Sequence, residues 1–369
     1  MKQALVCALL LLAGNFAHAE ASFEARCADP NVVLCDPLDE GAVRGVAITA
    51  GTRSKTLPEA LRGKYGDWRW CTHNPNKLAA PPVMDSEKKV SGSGSVKFTI
   101  VGGSRDDGAG YCQINFTPDN SVQFGEGDVF HVQFRVRLSC ELMYLDCDPA
   151  SPGYKKARRK FRADGGGVTT YKLSIINAGD HPALECPVGS CTNQHLVLVG
   201  DSRGLLQGYH SCEWYDGHWR DLGLDKRTGR VMLEVQPKSL VGSDGMEPCH
   251  KADSPLASKS DPPRGCFVLP SDEWLTITQQ YSIGRWADKI NDPARSSNVK
   301  IWVAREGKTP ELVIDLNRNF RRPEKPFMKY GKVWLVPFFT NKDVKDFHPT
   351  ATLWYDELMV ARGPYRAAK

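Results

Sequence analysis

Residues Phe130 to Leu138 alternate strictly between apolar and polar side chains. Successive side chains of an extended strand point to opposite faces, so Phe130, Val132, Phe134, Val136 and Leu138 are expected to face a core. His131, Gln133, Arg135 and Arg137 then share the other face. Guanidinium groups grip carboxylate or sulfate through paired N–H donors, which makes this row the expected floor of a binding groove. A solvated or ion-paired sheet face is the competing reading. Two shorter runs repeat the habit: Tyr111, Gln113 and Asn115 alternate on one side, as do Lys172 and Ser174. A loop-like stretch, Gly208 to Cys212, sets Tyr209 beside His210, and Phe339 to Asp343 and His348 add further polar groups.

Together these types meet the needs of eliminative cleavage of a uronate polymer: a group that neutralises the carboxylate, a base for the C5 proton and an acid for the leaving oxygen. In this reading Gln113, Gln133, Arg135, Arg137 and Lys172 bind an acidic polysaccharide, while His131, Tyr209 and His210 move protons. No cofactor is required.

The elements that must position these residues are strands. From Ser91 onward the chain reads as short β-type runs divided by turn residues: Val96 to Val101, Tyr111 to Phe116, Val129 to Leu138, Thr170 to Ile176, His195 to Val199, Val231 to Val235, Trp274 to Tyr281, Val299 to Ala304, Leu312 to Asp315, Val333 to Phe339 and Thr352 to Ala361. No helix is evident. So many strands with long connections point to an all-β domain of two stacked antiparallel sheets over residues 91–369. Residues 20–90 read as an irregular, loop-rich lead-in, and residues 242–266 as an insertion closed by Cys249 and Cys266.

The first nineteen residues read as a cleavable signal peptide: Lys2, an apolar core from Ala4 to Ala13, and Ala17-His18-Ala19 as the cleavage site. That core is about ten residues long, short of the roughly 20 a bilayer demands, and no later segment compensates. The expected location is therefore secreted or periplasmic, without stable membrane insertion. Of twelve cysteines, Cys7 leaves with the leader, and the remaining eleven imply a disulfide framework in an oxidising compartment. Sequence-neighbour pairs Cys27 to Cys35, Cys140 to Cys147, Cys186 to Cys191 and Cys249 to Cys266 are the expected staples. The net charge of +5 permits an anionic partner without demanding one.

Ser93 to Phe98, Phe130 to Leu138, Asn298 to Val303 and above all Trp354-Tyr355-Asp356-Glu357-Leu358-Met359-Val360 resemble the concanavalin A-like jelly rolls of secreted polysaccharide lyases and glucanases. The resemblance covers roughly residues 91–362. It implies a jelly roll closed by the Trp354 strand; such sandwiches often hold a structural calcium, for which Asp356 and the Asp106-Asp107 turn are the candidates, and capping of backbone N–H groups is the competing reading of these carboxylates. The glucanase branch carries a Glu-x-Asp-x-x-Glu strand for retaining hydrolysis, which is absent here. The alginate-lyase branch carries a Gln-Ile-His strand, where this chain has Gln113-Ile114-Asn115, so that only Gln113, Arg135 and Arg137 carry over.

Nucleic acid is not an expected partner, because the basic run Lys155 to Lys160 sits in a loop between strands. No glycine-rich phosphate loop opens a helix. A non-catalytic glycan-binding protein on the same fold is the alternative function, with Trp214, Tyr215 and Trp219 as its stacking aromatics.

Overall fold

The computed structural model describes residues 22–39, 45–47, 69–73, 80–102, 110–117, 121–156, 170–178, 193–213, 230–233, 267–286, 296–318, 320, 329–340 and 349–366. The signal peptide, the Asp106-Asp107 turn, the 214–219 aromatics, the insertion and the Cys186–Cys191 and Cys249–Cys266 pairs lie outside the described residues.

Two sheets account for almost all of the regular structure. In chain order the strands are β1 (Val32–Asp36), β2 (Gly45–Ala47), β3 (Arg69–His73), β4 (Val83–Asp85), β5 (Ser95–Ile100), β6 (Tyr111–Asn115), β7 (Val129–Leu138), β8 (Thr170–Ala178), β9 (Asn193–Asp201), β10 (Leu206–Glu213), β11 (Arg230–Leu233), β12 (Trp274–Ser282), β13 (Ser297–Arg305), β14 (Glu311–Arg318), β15 (Tyr330–Leu335), β16 (Phe339–Thr340) and β17 (Ala351–Arg362). The first sheet runs β14-β13-β12-β7-β17-β5-β4, with β1 also paired to β17; the second runs β11-β10-β9-β8-β15-β6-β3-β2, with β16 paired to β8. Among the described residues all strand pairings are antiparallel except β2 with β3. This is the two-sheet sandwich that the alternation predicts.

Its core forms where the expected apolar faces meet. Phe130, Val132, Phe134, Val136 and Leu138 are fully buried, and Phe130 stacks on Phe124 at 4.4 Å between ring centroids. Phe116, at the end of β6, reaches the same ring from the second sheet at 5.9 Å. Burying each such phenylalanine is worth roughly 2–3 kcal/mol. Polar ties also join the sheets: Tyr355 Oη donates to the Leu173 carbonyl at 2.8 Å, and Gln279 Nε2 to Ser174 Oγ at 2.8 Å. Tyr281 Oη donates in turn to Gln279 Oε1, so these buried polar atoms have partners.

Each of the eleven runs read as strands carries strand in the structure, with Val333 to Phe339 divided between β15 and β16. Residues 20–90 depart from their irregular reading, for β1 pairs with β17 and β4 with β5 in the first sheet, and β3 with β6 in the second. One short helix, α1 (Phe23–Cys27), precedes them, capped by the Ser22 side chain, which accepts from Ala25 N–H. Gly208 to Cys212 is likewise not a loop. It forms the heart of β10, an interior strand paired on both sides. Three disulfides are present among the described residues: Cys27–Cys35, Cys140–Cys147 and Cys71–Cys112. The last joins directly opposed residues of β3 and β6. No helix among the described residues is long and apolar enough to cross a membrane.

Candidate functional site

The polar row of β7 faces away from the core, as its alternation predicts, yet most of it is buried. His131, Gln133 and Arg135 are all buried. α1 closes one end: Arg26 donates through Nη1 to Gln133 Oε1 at 2.5 Å and through Nη2 to Glu357 Oε2 at 2.6 Å. Gln133 Nε2 donates to Thr278 Oγ1 at 2.8 Å, so its amide is engaged on both sides. The chain after β17 covers the neighbouring position. His131 Nδ1 lies 3.2 Å from the Gly363 carbonyl, Tyr365 sets its ring edge-on to the imidazole, and Tyr365 N–H donates to Gln280 Oε1. Burial pushes the His131 imidazole below its ordinary range. Arg135 faces Glu306 at 3.8 Å, and Arg137 stands in register between Trp274 and Trp354.

α1 and the chain after β17 therefore form a clasp that covers the His131 and Gln133 part of this face, while Arg137 stays half-buried. Glu357 is central to the clasp: the ladder bulges between Asp356 and Met359, and Glu357 takes a left-handed φ of 51°, where a residue with a Cβ is strained.

The second sheet carries Gln113 and Lys172, on the opposite side of the molecule from the β7 row. Ile114, Val333, Ile176 and Leu196 are in register across β6, β15, β8 and β9 and buried toward the first sheet. The outer face of these strands holds another kind of row. Asn115, Lys332, Asn177 and His195 stand side by side on the same four strands, and the ladder continues through Ser211 of β10 and Arg230 of β11. Neighbouring strands lie about 4.8 Å apart, so Asn115 to His195 spans roughly 14 Å. The adjacent row runs Gln113, Trp334, Ile175 and Val197, with Tyr209 in register next to Val197.

Two bulges place the lysines. The register shifts between Tyr330 and Lys332, so Tyr330 packs against Phe130 in the core while Lys332, two residues on, shares the outer row. A second shift falls between Lys172 and Ser174. It sends Ser174 into the core, against Gln279, and leaves Lys172 outward with Nζ 4.3 Å from the Phe338 ring centroid. The expectation that Lys172 and Ser174 share a face is corrected by that bulge.

Side chains meet across this face. Trp334 contacts Tyr111 at 6.0 Å and His195 at 5.7 Å between ring centroids. Since β8 lies between β15 and β9, the indole and the imidazole lean toward one another above that strand. Asn177 beneath is 1% exposed. Both its side-chain polar atoms, and Trp334 Nε1, are buried with no hydrogen-bond partner among the described residues.

The expected site residues thus fall into two groups that cannot act on one sugar together. His131, Gln133, Arg135 and Arg137 belong to the outer face of the first sheet. Gln113 and Lys172 belong to the outer face of the second. Tyr209 and His210 are successive on β10, so they stand in different rows: Tyr209 with Val197, and His210 with the core-facing Leu196. Lys332, Asn177, Trp334 and His195 were not singled out by the sequence. His195 shares its face with Val197 and Val199, an apolar context that hides it.

At Asp356, Oδ2 caps the Val90 and Ser91 N–H groups, while Oδ1 is buried with no hydrogen-bond partner among the described residues. Among the described residues no group of three or more His, Cys, Asp or Glu side chains could hold a metal.

No family model matches the chain, and no curated protein matches it. Solved structures similar to it include an alginate lyase from Aplysia kurodai (TM-score 0.46, 13% identity, covering 76% of this chain and 87% of that one). A β-1,4-glucuronan lyase from Trichoderma reesei is similar at TM-score 0.41 and 12% identity, covering 76% of this chain and 87% of that chain. An alginate lyase from Chlorella virus has TM-score 0.40 and 11% identity, covering 78% and 90%.

Proposed function

We propose that the protein is an exported polysaccharide lyase that cleaves a uronate-containing polymer by β-elimination on the outer face of the second sheet. The observation that carries this reading is the cross-strand row Asn115, Lys332, Asn177 and His195, beside Gln113 and Trp334. Gln113, Asn115 and Lys332 offer N–H donors to the substrate carboxylate and stabilise the charge that spreads onto it as the C5 proton departs. His195 accepts that proton. The freed electron pair forms the C4=C5 bond, the C4–O bond breaks, and a phenol, Tyr111 or Tyr209, protonates the leaving oxygen.

Hydrolysis through paired carboxylates is disfavoured, since neither row holds an Asp or Glu among the described residues. A non-catalytic binder of the same polymers is the second reading, favoured by the contacts of Tyr111, Trp334 and His195. Incubation with a panel of acidic polysaccharides, recording the ultraviolet absorbance of unsaturated uronate, separates the two. Binding with no new absorbance on any polymer would leave the binder.

A further inference from the structure

We infer that Asn177 and Trp334 form a hydroxyl-reading subsite, so that the protein selects polyuronates with free hydroxyls over their O-acetylated forms; this rests on the reading of that face as a polyuronate site. A side-chain amide has donors at Nδ2 and an acceptor at Oδ1, whereas an indole is a donor only. At Asn177 both kinds of atom are buried without a hydrogen-bond partner among the described residues, and Trp334 Nε1 is in the same state one row away. Buried polar groups left unpaired are costly, so the group that completes this pair must both accept and donate.

A carboxylate fails that requirement. Ionised at neutral pH it only accepts, and it would leave Asn177 Oδ1 unsatisfied. Ring and glycosidic oxygens fail for the same reason. The hydroxyls of a uronate unit are its only donors, and each can also accept, so a hydroxyl pair satisfies the amide on both sides and accepts from the indole. Acetylation replaces the hydroxyl hydrogen by an ester, which removes the donor and adds bulk over a residue that is 1% exposed. Sites built to bond a substrate hydroxyl reject analogues that lack it, because their own polar groups then stay unpaired. Recognition of the carboxylate falls to Gln113, Asn115 and Lys332, and recognition of the sugar's substitution to Asn177 and Trp334.

The test compares one polyuronate in de-acetylated and chemically O-acetylated form, by cleavage rate with the wild-type protein and Asn177→Ala, and by calorimetric binding of soluble oligomers of each form to the wild type. The wild type is expected to favour the free-hydroxyl form by roughly tenfold or more in kcat/KM and in affinity. Asn177→Ala should bring that ratio close to one, and Trp334→Phe should reduce it. Binding by the wild type stands even if the variant does not fold. Hydroxyl-dependent binding without cleavage would overturn the lyase reading and keep this one. Equal treatment of both forms, binding of neither, or a preference unchanged in Asn177→Ala would overturn it, and would mean that ordered water alone satisfies the amide.

Discussion

Replacing Arg26 by alanine tests the clasp on the first sheet. The guanidinium holds Glu357 Oε2 at 2.6 Å and Gln133 Oε1 at 2.5 Å, and the side chains of Arg26 and Glu357 are 15% and 5% exposed. Removing one partner of a buried ion pair costs about 3–5 kcal/mol, because the other charge is stranded. Water reaches one edge of Arg26, which favours the lower end, about 3 kcal/mol. The left-handed backbone of Glu357, with φ 51°, is a strained conformation that the ion pair helps to hold. Equilibrium urea unfolding with the disulfides intact measures the loss as a lower midpoint at unchanged slope. In a Glu357→Gln background the same substitution should cost at least about 1 kcal/mol less, because no charge is left behind. A loss below about 0.5 kcal/mol, or an equal loss in both backgrounds, would refute the reasoning. Activity on polyuronate should change little while the protein stays folded.

Three other outcomes are expected from the same geometry. His131→Ala should lower stability by about 1–2 kcal/mol, through lost packing against Tyr365, and leave kcat/KM on polyuronate within about twofold; abolished cleavage by a folded variant would return the β7 row to the active site. Burial raises the Asp356 carboxyl from 3.8 to about 7, so the folded state holds its proton more tightly than the unfolded chain. Its contribution to stability is complete below pH 3.8 and fades as pH rises through about 7, a few kcal/mol in all. Asp356→Asn should flatten this slope between about pH 5 and about pH 8, as read by thermal unfolding at both values. Lys332→Met should raise KM on polyuronate roughly tenfold or more by removing the cation from the carboxylate row, measured by initial rates, and an unchanged KM would exclude Lys332 from binding.

Alternation made the core legible. Phe130 to Leu138 face inward as a strand of that pattern must, and the long β-type runs all form ladders. It could not say that His131 and Gln133 are covered, for their covering comes from α1 and from Tyr365, far away in sequence. Nor does a period of two survive a bulge: the extra residue after Lys172 and the one after Tyr330 reverse the faces of the residues downstream. β10 escaped because Gly208, Ser211 and Cys212 carry turn-like composition, although pairing on both sides holds them extended. Local disulfides were legible from short spacing. Cys71–Cys112 was not, since only the β3–β6 register brings its halves together.

The proposed β-elimination on the outer face of the second sheet has His195 as its base. The most direct measurement is the appearance of unsaturated uronate from a de-acetylated polyuronate, with the wild-type protein, His195→Ala and His131→Ala compared under the same conditions. Product is expected from the wild type and from His131→Ala, with a loss of roughly a hundredfold or more in folded His195→Ala. Undiminished product from His195→Ala, or loss confined to His131→Ala, would contradict this assignment.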